Sequence, residues 1–307
     1  MRLLLLLAAV SVFGQNNVDI VTSDIGNFWK AYDASQPGQR TDAFEKLYFG
    51  PGSPGLKDFV EARIQSAEKL ANAVDKRYPK FYASVRPYTL EVDKQKPAIL
   101  KYLAHYREIY PEAHFPTVYF VIGRLTSGGT VSDRGLLIGT EVYSLGEGVD
   151  ASEVSPSFRK AMGTADRIPF IVMHELTHTQ AARGEIGKVP PMLAQCVGEG
   201  AADFMTDLVA NSSINAHTKE WADPRRDELF QRFASDMKAT PKDASKWIYN
   251  YSRVTDEPAD LGYWIGAEIC HSYYERAADK AKAVRDVITL KNVQAIVEGS
   301  KYAWLLN

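Results

Sequence analysis

Apolar and polar positions change their spacing twice along this chain. Through the first third, apolar residues recur at helical intervals and predict helices at about 25–33, 39–48, 56–85 and 95–110. Gly50-Pro51-Gly52-Ser53-Pro54-Gly55 interrupts them as a loop. Asp93 is placed to cap the 95–110 helix, with Pro97 in its first turn. After Phe115 the pattern turns β-rich, in Thr117–Gly123 and Gly135–Ser144, with turn-forming residues at Ser127-Gly128-Gly129 and Asp133-Arg134 between them. These runs read as two strands of a small, mostly antiparallel sheet. From about residue 156 the helical spacing returns, with helices at about 166–183, 197–210 and 260–278. Phe170, Ile171, Val172, Met173 and Leu176 cover nearly every side of the first of these, which predicts a central, buried helix. Pro169 is tolerated in its first turn and Gly184 can end it. Segregated helices and strands indicate a mainly helical α+β fold rather than a doubly wound α/β one.

The N-terminus changes the picture of where this fold resides. Arg2 and the apolar run Leu3–Phe13 read as a secretory signal spanning residues 1–14. That run is shorter than the roughly 18–20 residues needed to span a bilayer, and no later stretch is long enough. No cysteine lies near the cleavage region, so a lipid-modified N-terminal cysteine is not expected. The expected product is an exported chain, secreted or periplasmic, in which residues 15–307 form one unit. Its helical N-terminal part covers 25–110, its sheet 115–145 and its helical half 156–307.

Composition excludes more than it identifies. Removing residues 1–14 takes away Arg2 and moves the formal net charge from −2 to −3. That balance, without a basic run interleaved with aromatics, argues against nucleic-acid binding. Cys196 and Cys270 are the only cysteines, too few for a disulfide scaffold. Both lie on apolar helical patterns, where buried thiols are the expected state and a disulfide the alternative.

The chemistry lies in His174-Glu175-Leu176-Thr177-His178. Two histidines at i and i+4 share a helical face, so their imidazoles can meet on one Zn2+. Glu175 beside them can serve a metal-bound water as general base. A third ligand is required for such a zinc, and the best candidate is Glu199, flanked by Gly198 and Gly200. Those glycines would let its helix approach the metal helix closely. Asp203, one turn on, shares the face of Glu199 and can accept a hydrogen bond from a ligand histidine.

These residues carry a resemblance. HELTH, with a Glu-x-x-x-Asp motif twenty-one residues after its second histidine, resembles the gluzincin, or thermolysin-like, clan of zinc peptidases. Segment 117–144 and Gly262-Tyr263-Trp264-Ile265-Gly266 resemble more closely a largely uncharacterised bacterial family of predicted secreted zinc-dependent proteases, over about residues 25–290. The resemblance implies His174, His178 and Glu199 as zinc ligands, Glu175 as base and Asp203 as their support. It also implies a peptide or protein substrate and an oxyanion donor from a downstream helix. For that donor, Tyr263 is the first choice, with Gly262 and Gly266 leaving room near the cleft, and His271 the second. The substrate would lie along an edge strand, with Gly135–Ser144 as the expected edge. Two other readings stand beside this one. The first is an exported, non-catalytic surface or assembly protein that keeps the fold, against which an intact Glu175 argues. The second is a zinc amide hydrolase acting on cell-wall peptides.

Overall fold

Buried strand residues set the centre of the molecule. The computed structural model describes residues 18–182, 188–251 and 253–307. Four strands, β1 (Ile20–Val21), β2 (Thr117–Val121), β3 (Gly129–Ser132) and β4 (Gly135–Gly139), form one sheet in the order β1-β2-β4-β3. The continuous apolar run of β4 is buried at every position, as expected of a strand covered on both faces. β2 pairs in parallel with β1 and with β4, while β3 and β4 form an antiparallel hairpin across Asp133-Arg134.

The α+β, mainly helical fold is as expected, but the strand directions are not. Only the β3–β4 pairing is antiparallel. The two apolar runs that sequence spacing suggests as partners do pair, in parallel, and the hairpin partner of β4 is a strand that begins at Gly129, inside the expected turn. Nor is Gly135–Ser144 an edge. β4 is interior, and the edge on that side is β3.

The N-terminal helices cover the sheet around an aromatic core. Helix α1 (Ser23–Asp33) contributes Phe28 and Trp29, and the rings of Phe28 and Phe44 stack 5.3 Å apart. Helix α2 (Pro54–Phe59) begins with Pro54 after Ser53, whose side chain accepts the Leu56 N–H at 3.1 Å. The expected helix over 56–85 is instead several short helices. Its first break falls at Gln65, which takes a left-handed φ of 78°. Helix α3 (Val92–Ile109) includes Pro97 in its second turn and starts one residue before Asp93, which accepts from Thr22 instead of capping.

Three of the helices in the other half position the candidate site. The histidine helix α4 (Ile168–Gln180) starts at Ile168 with Pro169 in its first turn, and it packs on α3, the sheet and α5 (Pro191–Ala210). Gly184, its expected terminator, lies outside the described residues. α5 in turn lies along α6 (Leu261–Arg276) at close range. The cause is a pair of facing glycines. A Cβ on Gly266 would fall 1.8 Å from the Cys196 carbonyl oxygen, and one on Gly200 would fall 2.1 Å from the Ala267 nitrogen. Cys196 and Cys270 are free, buried thiols on α5 and α6. A contiguous hydrophobic core runs from Ile25 to Leu305. Among the described residues no helix is long and apolar enough to cross a membrane.

Candidate metal centre

The buried histidine helix turns one polar face toward α5. Met173, Leu176 and Val172 anchor α4 in the core, which leaves His174 and His178 one above the other on the face opposite Glu199. His174 Nε2 and His178 Nε2 lie 3.1 Å apart, and Glu199 Oε2 lies 3.4 and 3.3 Å from them. Tetrahedral zinc with bonds of about 2.0–2.1 Å needs donor separations of about 3.3–3.4 Å. Octahedral coordination at a similar bond length needs about 2.8–3.0 Å between neighbouring donors. The triangle fits the tetrahedral case better. His174 and Glu199 side chains are 11 % and 14 % exposed and His178 is 27 % exposed, so the site opens on the His178 side.

Asp203 supports this arrangement, as its position on the helix suggests. His174 Nδ1 donates to Asp203 Oδ1 at 2.9 Å, which turns Nε2 toward the triangle, where it would ligate a metal on giving up its proton. The other Asp203 oxygen accepts from Asn215 Nδ2 at 2.6 Å. Burial alone would lower the His174 pKa, but hydrogen bonds to Asp203 and Glu199 outweigh it and raise it well above the ordinary range. Burial likewise pushes the Glu199 carboxyl up, yet the two imidazoles overcome that and hold it well below the usual carboxylate range.

Glu175 lies on the sheet side of the same helix, against β3. A Cβ on Gly129 would fall 2.4 Å from Glu175 Oε1, so the carboxylate rests on the backbone of the edge strand. Burial raises its pKa, opposed by the charges of His174 and His178.

Tyr263 is at the site, its ring stacked 6.0 Å from that of His174 with 17° between planes. The reason differs from the one the sequence suggests. Gly262 and Gly266 do not clear a cleft; they let α6 close on Cys196 and on the Trp247–Ile248 segment. Gly200 meets α6 rather than α4, and Gly198 faces open space. His271 is not brought to the three donors. Its Nε2 faces Asp207 Oδ2 at 3.8 Å and its ring meets Phe204 edge-on.

Sequence reasoning misses two members of the site. Asn215, the partner of Asp203, follows a left-handed turn at Asn211 that ends α5. Tyr249 donates its hydroxyl to Glu199 Oε1 at 2.5 Å, and its ring meets Tyr263 edge-on at 6.4 Å. Loss of water around its hydroxyl, on a ring that is otherwise exposed, and the hydrogen bond and charge of Glu199 raise its pKa, which keeps it a donor. No helical spacing connects Tyr249 to a carboxylate fifty residues earlier, so no sequence rule marks it. Among the described residues His174, His178 and Glu199 form the one cluster of three or more His, Cys, Asp or Glu suited to a metal ion.

The profile of the family described as gliding motility protein GldB matches residues 17–303, nearly the whole chain, and the chain belongs to that family. No curated protein and no solved structure matches it. The family match overturns the assignment to the gluzincin clan and to the bacterial family of predicted secreted zinc-dependent proteases, and with it the zinc metallopeptidase activity and the peptide substrate which those resemblances implied. HELTH and the Glu-x-x-x-Asp motif describe a donor arrangement. A donor arrangement does not by itself fix a reaction.

Proposed function

We propose that this member of the GldB family is an exported, non-catalytic surface or assembly component of gliding motility. In this reading it retains the donor layout of a zinc site between α4 and α5 and uses the metal as a clamp. The single observation that carries the reading is the family match over residues 17–303. The N-terminal signal read from the sequence lies outside the described residues, and it agrees with export. Cys196 and Cys270 are both buried, so neither serves as a lipid-attachment point.

The residues fit such a metal. Two imidazole nitrogens and one carboxylate oxygen form a donor set that zinc prefers, with the two separations to Glu199 at tetrahedral values and the 3.1 Å between the imidazoles slightly shorter. A bound ion would tie α4 to α5 across their polar seam, adding to the hydrogen bond from His174 Nδ1 to Asp203. At a thousandfold excess over its dissociation constant, such a ligand stabilises the fold by about 4 kcal/mol.

Glu175 counts against a non-catalytic reading if a base is its only use, because a retired site has no need of one. Its position supplies another need. The carboxylate lies against Gly129 and beside the histidine pair, so it has a packing and electrostatic role without turnover.

The test is complementation of a gliding strain that lacks the protein. Glu175→Gln is expected to bind metal and to restore gliding as the wild type does. His174→Ala with His178→Ala is expected to lose the metal, melt at lower temperature and restore gliding poorly. A folded, metal-loaded Glu175→Gln protein that fails to restore gliding would sink the non-catalytic reading.

A further inference from the structure

Tyr249 reaches the donor triangle from the surface. It is 62 % exposed, far more than any other group at the site, yet its hydroxyl is committed to Glu199 Oε1. The two oxygens of Glu199 are thereby divided. Oε2 faces both imidazoles and Oε1 faces the phenol.

This placement is built rather than incidental. Tyr249 holds a left-handed φ of 54°, a conformation unfavourable for an aromatic residue. Its neighbour fixes that turn. Asn250 N–H donates to Asp260 Oδ1 at 2.9 Å, Asp260 N–H donates to Asn250 Oδ1 at 2.7 Å, and Asn250 Nδ2 donates to the Lys246 carbonyl at 2.5 Å. Asn250 is buried, and Asp260 itself has a left-handed φ at the start of α6. Two strained residues and a reciprocal pair of hydrogen bonds therefore aim one exposed ring at one carboxylate oxygen.

We propose that Tyr249 sets the coordination number of the metal site. By occupying Oε1 it keeps Glu199 a one-oxygen ligand, so the site offers three donors and one open position. Carboxylates bind metals through one oxygen or two. A Glu199 free to use both would give four protein donors and room for water, a set that suits cations of higher coordination number. With Oε1 held, the site favours a four-coordinate ion such as zinc over manganese or magnesium. Tyr249 is thus a positioning residue acting through Glu199. The inference rests on the metal-site reading and deepens it.

Cobalt(II) is the probe, because its visible absorption is strong in four-coordinate sites and weak in sites of higher coordination. The full chain and Tyr249→Phe, which removes one surface oxygen, are each loaded with cobalt and then titrated separately with zinc and manganese. The wild type is expected to give the four-coordinate spectrum. Tyr249→Phe is expected to shift to the weaker, higher-coordinate spectrum, to lose about tenfold in zinc affinity and to narrow its zinc-over-manganese preference. A variant with the wild-type spectrum and the wild-type preference would overturn the role of Tyr249 and leave the metal site standing. A wild type that binds neither cobalt nor zinc would overturn both.

Discussion

Glu199 and Glu141 are both carboxylates in the interior, and they respond to it in opposite directions. Glu199 faces two imidazoles and a phenol, and its carboxyl is held well below the usual range. Glu141 is fully buried beside the sheet, where Oε1 accepts the Leu125 N–H at 3.2 Å and Oε2 has no hydrogen-bond partner among the described residues. Burial pushes its pKa up to about 7. Nearby, Tyr48 and Tyr82 spend their hydroxyls on the Ile122 and Gly123 carbonyls and offer Glu141 nothing. A buried carboxylate keeps its charge where a cation faces it, and gives the charge up where only backbone donors do. The donor triangle is thus arranged to hold the charge of Glu199, and the pocket beside the sheet to exclude that of Glu141.

The largest expected effect lies in the packing that brings the charged groups of the helical half together. Gly266→Ala should stabilise an ordinary helix by roughly 1 kcal/mol. Here the added Cβ meets the Cys196 carbonyl oxygen at 1.8 Å, which no side-chain adjustment can relieve. The expected result is a loss of about 4 kcal/mol in chemical denaturation, with weakened metal binding, because α5 carries Glu199. An unchanged or raised stability would show that the facing glycines do not set the spacing of α5 and α6.

The sheet side is tested by pH. Below about pH 4.5 Glu141 is protonated in both folded and unfolded chains, and its contribution is fully present. As pH rises, the unfolded chain releases the proton first, so stability falls until the folded group also ionises near pH 7. The shift from 4.5 to about 7 corresponds to roughly 3 kcal/mol lost across that window. Glu141→Gln should flatten this slope and be the more stable protein at pH 8, measured by denaturant midpoints from about pH 4 to 8. A Glu141→Gln protein with the same slope as the wild type from pH 5 to pH 8 would mean that Glu141 is charged in the fold, and the contrast with Glu199 would fail.

The two regions also differ in how much of them the sequence reveals. Helical periodicity is local, so i, i+4 spacing alone places His174 with His178, and Glu199 with Asp203, on shared faces. The facing of the two helices follows from their apolar flanks. Spacing does not decide the place of His271. It lies eight residues beyond Tyr263, about 12 Å further along the helix axis, and only the packing of α5 on α6 shows which turn meets the histidines. Tyr249 and Asn215 lie in irregular segments, where no period relates them to their partners. On the sheet side, apolar runs reveal strands but not their directions, so the parallel β2–β4 pair looks antiparallel in the sequence. Glu141 sits in the same run as β4, where a short helical turn over Thr140–Tyr143 buries it. Nothing in the alternation of Gly135–Ser144 distinguishes that from the end of a strand.

The smallest expected effect isolates how the charge on the helical side is held. Asp203→Asn keeps the size of the side chain but removes the negative charge that His174 Nδ1 meets at 2.9 Å. Its NH2 group, in place of the oxygen that accepts from Asn215 Nδ2, requires the Asn215 amide to turn its oxygen toward it. The amide can still accept a hydrogen bond, so His174 keeps its tautomer while losing basicity at Nε2. Zinc affinity, measured by chelator competition, is expected to fall by about 10- to 100-fold, with the fold intact. In the absence of metal, the raised His174 pKa should drop toward the ordinary range, readable by NMR titration of the imidazole. If both quantities stayed at wild-type values, Asp203 would be a buried spacer and Glu199 alone would account for the charge balance. If the pKa fell and the affinity did not, Asp203 would hold the charge on His174 for reasons of folding rather than of metal binding. That result would separate the electrostatics of this site from the metal it is proposed to hold.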